Sequence, residues 1–86
     1  MTNLELIMEQ YPEDEFLKAD GYDEAIIGTY QGRLVYSIKK CIEILELNME
    51  HEEAVEYFFF NTEGAYMGEL TPVWVEDRML DPLLNL

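Results

Sequence analysis

Positive charge is what this chain has least of. Five lysines and arginines stand against nineteen acids in 86 residues, a formal net charge of −14. Phosphates would be repelled rather than release counterions, so direct binding to nucleic acid is not expected, nor is attachment to an anionic membrane. A basic protein surface is the partner that such a charge favours, including one that normally holds DNA or RNA. Cysteine is reduced to Cys41, so no intrachain disulfide can form. With one histidine, His51, the chain has no zinc-ligand spacing, and no metal or cofactor is expected. No apolar stretch approaches the roughly 20 residues of a membrane span. The N-terminus lacks the basic segment and apolar run of a secretory signal, which makes the cytosol the expected compartment.

What is present points to a folded domain. Apolar residues make up 49% of the chain and aromatics 13%, too many for disorder despite the charge. A chain of this length forms one domain and buries only about 60–65% of its unfolded surface. The expected domain is residues 1–76, followed by an apolar tail, 77–86, carrying Met79, Leu80, Leu83, Leu84 and Leu86.

Thr2 and Glu5 have capping-box spacing ahead of the stripe Leu4, Ile7, Met8, and Pro12 ends the helix they predict. Asp20-Gly-Tyr-Asp23 reads as a turn. Residues 24–30 and 33–37 read as two strands joined at Gln31-Gly32, with Gly32 able to take positive φ. Period-2 burial pairs Ala25 with Ile27 and Leu34 with Tyr36. Ser37 then caps a helix whose apolar stripe is Ile38, Cys41, Ile42, Leu45, with Lys39 and Lys40 in reach of Glu43 on the other face. Cys41 on that stripe is expected to act as a small hydrophobe.

Asn48 is the expected stop, and a second helix restarts near Glu50 with Val55, Phe58 and Phe59 buried. Phe60 cannot share that narrow stripe: it either packs against the preceding helix, the expected outcome, or marks an exposed contact patch. Gly64 suits a left-handed exit, and residues 71–76 read as a third strand, landing in the middle of the core, with Pro72 at its start. The order α-β-β-α-α-β predicts an α+β fold, a small three-stranded antiparallel sheet packed against helices.

The chemistry available is limited. Asp20, Asp23 and Glu24 offer hard oxygens but not the ligand ladder of a calcium loop, and turn formation accounts for them. Ser37 and His51 lack the strand-turn-helix elbow of a nucleophilic serine. Gly64 and Gly68 fit no phosphate-binding pattern. An enzyme is not expected. The acids are more informative by position. If the two helices run on as one, Glu43, Glu46, Glu50 and Glu53 fall on one face, about 5–6 Å between neighbours. That is the order of spacing of phosphates along a DNA strand.

Several stretches are distinctive together: Ala19-Asp-Gly-Tyr-Asp-Glu-Ala-Ile-Ile-Gly28, Cys41-Ile-Glu-Ile-Leu45, Glu52-Glu-Ala-Val-Glu-Tyr-Phe-Phe-Phe-Asn61 and Gly64-Ala-Tyr-Met-Gly-Glu-Leu-Thr-Pro72. Through them the chain resembles a family of small acidic proteins of unassigned function common in tailed phages and prophages. The resemblance implies a phage setting and a host cytoplasm, and no reaction. In that setting the expected function is inhibition or modulation of a host defence complex that handles nucleic acid, of anti-CRISPR or anti-restriction type, by DNA mimicry. Asp20, Asp23, Glu24, Glu43, Glu46, Glu50, Glu53 and Glu56 are the expected contacts with the partner's basic surface. The alternative is a non-catalytic assembly adaptor that forms a homodimer through its apolar tail.

Overall fold

A computed structural model describes residues 2–62 and 68–78. Helix α1 spans Asn3–Gln10, capped by Thr2, whose Oγ1 accepts from the Glu5 amide at 3.2 Å. Ile7 is its buried residue, and Met8, placed on the same stripe by sequence, is exposed. After the loop a 3-10 turn over Asp23–Ala25 leads into β1 (Ile26–Tyr30), which pairs antiparallel with β2 (Arg33–Ser37). The hairpin closes through Gln31 and Gly32, both at positive φ (49° and 78°). Two such residues match the twist of the flanking strands, as in a type I′ turn.

Leu34 and Tyr36 are fully buried, as their alternation predicts. Ile27 is not. The 3-10 turn ends at Ala25 and the register slips between Ile26 and Gly28, so Ile26 takes the core position and Ile27 faces out.

Helix α2 (Ile38–Leu45) follows β2 directly and buries Ile38, Cys41 and Ile42. Ser37 Oγ accepts from the Lys40 amide at 3.1 Å, so strand end and helix cap are one residue. Burial pushes the Cys41 thiol up to about 12, with the Asp77 carboxylate adding to the shift, so it stays a neutral apolar group. Helix α3 (His51–Asn61) packs on α2 and buries Ala54 and Phe58. Phe60 is 84% exposed, which corrects the expected burial. Each helical residue turns by about 100°, so Phe60 lies roughly 200° from Phe58 and faces away from the core that Phe58 fills.

Strand β3 (Val73–Val75) completes a sheet of order β1-β2-β3. It runs parallel to β2, with Val35, Tyr36 and Ser37 opposite Val73, Trp74 and Val75. Among the described residues the fold is α+β with three α-helices and a small sheet, as expected, but the sheet is mixed rather than antiparallel. The connection over residues 38–72 is long enough to return the chain to the starting end of β2, which a parallel pair requires. The same pairing puts β3 at the sheet edge, with β2 in the centre. Pro72 is buried just ahead of β3, where its missing N–H costs no ladder bond.

An aromatic cluster joins the layers. The Trp74 ring lies 4.9 Å from Tyr36, 5.4 Å from Phe58 and 6.4 Å from Tyr22 between centroids. Phe58 also meets Tyr22 and Phe59 edge-on, at 6.1 and 5.2 Å. Tyr22, read from sequence only as part of a turn, is 6% exposed. Both buried phenols are satisfied: Tyr36 Oη accepts from the Ala19 amide at 2.8 Å, and Tyr22 Oη lies 3.0 Å from Thr62 Oγ1. Burial is the main reason that both titrate above their ordinary value.

Asp77, assigned to the tail from sequence, is bonded into the fold. Its carboxylate accepts from the Ser37 hydroxyl and, at 2.8 Å, from the Lys39 amide. Gly64 and the tail residues Met79, Leu80, Leu83, Leu84 and Leu86 lie outside the described residues.

Candidate partner-binding surface

The row of carboxylates expected along one continuous helix does not form. The Leu47 and Asn48 amides bond back to the Ile44 and Leu45 carbonyls at 3.2 and 3.1 Å, a tightening that ends α2. Glu46 is the C-cap of α2, and Glu50, in extended conformation, is the N-cap of α3. Glu43 with Glu46, and Glu50 with Glu53, therefore belong to separate elements. Glu53 and Glu56 lie on α3, Asp23 and Glu24 in the 3-10 turn, and Asp20 in the loop before it.

Seven of the eight candidate acids are exposed, Asp23 being half-buried. The bases are distributed unevenly among them. Lys18 Nζ is 3.3 Å from Asp23 Oδ1 and also lines, with Asp20, Tyr57, Asn61 and Trp74, a cleft of about 500 Å³. Lys40 shares a depression of about 240 Å³ with Glu24 and Glu43. Lys39, His51 and Arg78 share one of about 480 Å³ with Glu43 and Glu46. His51 Nδ1 lies 3.1 Å from Glu46 Oε2 across the helix break. Neither lysine of α2 comes within 4.0 Å of Glu43 as an ion pair among the described residues, although sequence spacing put them in reach.

The outer face of α3 is different. Glu53, Glu56, Tyr57, Phe60 and Asn61 bound a shallow depression of about 330 Å³ whose lining holds no basic side chain. Glu50, Glu52, Glu53 and Glu56 are all exposed, and the sequence of α3 contains no lysine or arginine. Glu52 and Glu53 in the first turn are favoured by the helix dipole, so local physics explains why acids collect there. Tyr57 is 45% exposed beside Phe60. Sequence reasoning found the acids, gave an exposed Phe60 only as the alternative to burial, and missed Tyr57. Fixing Phe58 as the core residue favours the exposed alternative for Phe60, because two residues along a helix turn through about 200°, just over half a turn.

One guanidinium is already held beside α3, at Phe59. Arg78 donates to Glu76 through Nε at 2.8 Å and Nη2 at 2.6 Å, while its guanidinium carbon stands 5.0 Å from the centre of the Phe59 ring. The Arg78 hydrogen bonds hold the Glu76 carboxyl below its ordinary value, against a smaller opposing effect of burial. Carboxylate and ring together grip the cation.

Other chemistry is restricted to what the side chains allow. The Ser37 hydroxyl is committed to the α2 cap and Asp77, and His51 to Glu46, so the two do not meet. No group of three or more His, Cys, Asp or Glu among the described residues is placed to hold a metal ion. No described helix is long and apolar enough to cross a membrane. Comparison with models of protein families, with curated proteins and with solved structures found no match for this chain.

Proposed function

We propose that this chain is a non-catalytic binding protein of a tailed phage or prophage. It acts in the host cytoplasm by occupying the basic surface of a host protein that handles nucleic acid. The effect is inhibition or modulation of a defence complex of the anti-CRISPR or anti-restriction kind. The observation that carries this reading is the unopposed acidic face of α3 within a chain of net charge −14. Fixed carboxylates on a helix imitate the charge of a phosphate backbone without its flexibility. The broken helix reduces the imitation to short acidic patches, so the DNA likeness is one of charge rather than of a long regular row.

Steering by charge makes a sharp prediction about salt. Between about 50 and about 500 mM salt the screening length falls from roughly 14 to 4 Å. A partner captured from host lysate at the lower concentration is therefore expected to be lost at the higher, with association slowed more than dissociation is hastened. Replacing Glu53 and Glu56 together by Lys should remove the captured partner even at low salt. Retention across the whole salt range, or indifference to the double charge reversal, refutes the proposed function.

A further inference from the structure

We propose that the depression bounded by Glu53, Glu56, Tyr57, Phe60 and Asn61 is a niche for an arginine side chain of the partner. The inference rests on the charge-driven reading above and specifies which basic residue that reading should favour.

Three observations converge on the guanidinium. The niche combines two carboxylates with two exposed rings, and it has no basic side chain of its own. Both elements attract the same group, since carboxylates bind arginine through paired hydrogen bonds and aromatic faces stack on its plane. On an adjoining flank of α3 the chain itself shows this grip, with Arg78 held between the Glu76 carboxylate and the Phe59 ring. Phe60 is the neighbouring ring, and Glu56 stands one turn before it, so an equivalent pair faces outward with nothing seated on it among the described residues.

A second copy of the chain fits this site poorly. Two faces each bearing Glu53 and Glu56 would repel in a molecule of charge −14. An apolar partner would leave both carboxylates without compensation where the interface dries. Lysine satisfies the charge but offers neither the planar fork nor the stacking surface, so arginine is distinguished from it by the rings.

The test is a nuclear magnetic resonance titration of the full chain, labelled with ¹⁵N, against blocked tetra-arginine and tetra-lysine peptides at equal salt. The expected result is that tetra-arginine shifts amides within residues 53–61 most and binds roughly two- to fivefold more tightly than tetra-lysine. Phe60→Ala should lower that ratio, with Tyr57 and the paired hydrogen bonds of the two carboxylates keeping part of the preference, and should weaken tetra-arginine more than tetra-lysine. The change is safe for folding because Phe60 is 84% exposed. Equal binding of the two peptides, with shifts spread over Glu24, Glu43 and Glu46, overturns the niche and leaves the charge reading standing. An arginine preference undiminished by Phe60→Ala also overturns it. If neither peptide binds, niche and charge reading fall together.

Discussion

Phe58→Ala is expected to lower the stability of this protein by about 3–5 kcal/mol. Phe58 is fully buried and contacts Tyr22, Phe59 and Trp74, so its removal opens a cavity where loop, helix and edge strand meet. A domain of this size has only about 5–10 kcal/mol in all, so the loss brings the chain close to unfolding at 37 °C. Each kcal/mol is worth about 4–8 °C in a domain of this size. The melting temperature should therefore fall by at least about 12 °C. Phe60→Ala, two residues along the same helix, should change stability by no more than about 0.5 kcal/mol. Urea titrations followed by the emission of Trp74, the sole tryptophan, measure both. Similar costs for the two would contradict the orientation of α3.

Asp77→Ala is expected to cost about 2–4 kcal/mol, more than its half-exposed position suggests. The carboxylate accepts from the Lys39 amide and from the Ser37 hydroxyl, and Ser37 in turn caps α2. Losing a helix cap costs about 0.5–2 kcal/mol. The buried Ser37 hydroxyl would also lose its acceptor, adding about 1–3 kcal/mol. The pH dependence separates charge from shape. Burial acts to raise the Asp77 carboxyl, but the bonds from Ser37 and the Lys39 amide, aided by the Lys39 charge, outweigh it and hold the group below its ordinary 3.8. A carboxyl depressed by folding contributes stability that is complete above its unfolded value and vanishes as pH falls through the folded one. The stability gap between wild type and Asp77→Asn should therefore be constant from about pH 5 to 7 and close below about pH 4. A gap that does not narrow at all as the pH falls below about 4 would show that the carboxylate's charge does not maintain the cap.

Much of this fold was legible locally. The stripe Ile38, Cys41, Ile42 and the cap Ser37 are neighbours in sequence and in space, so the periodicity carried α2 without further information. Thr2 and the Gln31-Gly32 turn are local in the same sense. What the sequence hid depends on where distant segments arrive. The direction of β3 is set by the path of residues 38–72, not by anything in Val73-Trp-Val75. The role of Asp77 follows from that direction. Parallel strands end side by side, with Ser37 opposite Val75, so the chain leaving β3 passes the start of α2. An antiparallel β3 would have sent Asp77 to the far end of the sheet, about 15 Å away at the rise of a five-residue strand. Tyr22 was hidden differently, because turn chemistry at Asp20 and Gly21 says nothing of what the intervening side chain fills.

The candidate surface was legible as composition and misread as geometry. All eight acids are visible in the sequence, and seven are exposed. Their division among loop, 3-10 turn, α2 and α3 depends on the break after Leu45, which the tight bonds of Leu47 and Asn48 produce. Nor could the sequence show that Lys18, Lys39, Lys40 and Arg78 each lie near other acids and leave the depression at Glu53 and Glu56 without a basic side chain. That asymmetry arises from tertiary packing, and it narrows the expected contact from a row of acids to one helix face.

The contact between Ser37 and Asp77 joins positions forty residues apart in the chain. It ties the first turn of a helix to the strand on the sheet edge, so neither can open without exposing the other's unpaired groups. Edge strands ordinarily fray early and exchange their amide hydrogens by local opening. Here β3 and the start of α2 should instead behave as one cooperative unit. The β3 amide that bonds to β2 is expected to share a single opening free energy with the Lys40 and Cys41 amides in native-state hydrogen exchange, and its exchanging far ahead of α2 would disprove the coupling. A three-residue edge strand thereby gains the persistence of the helix whose start it guards.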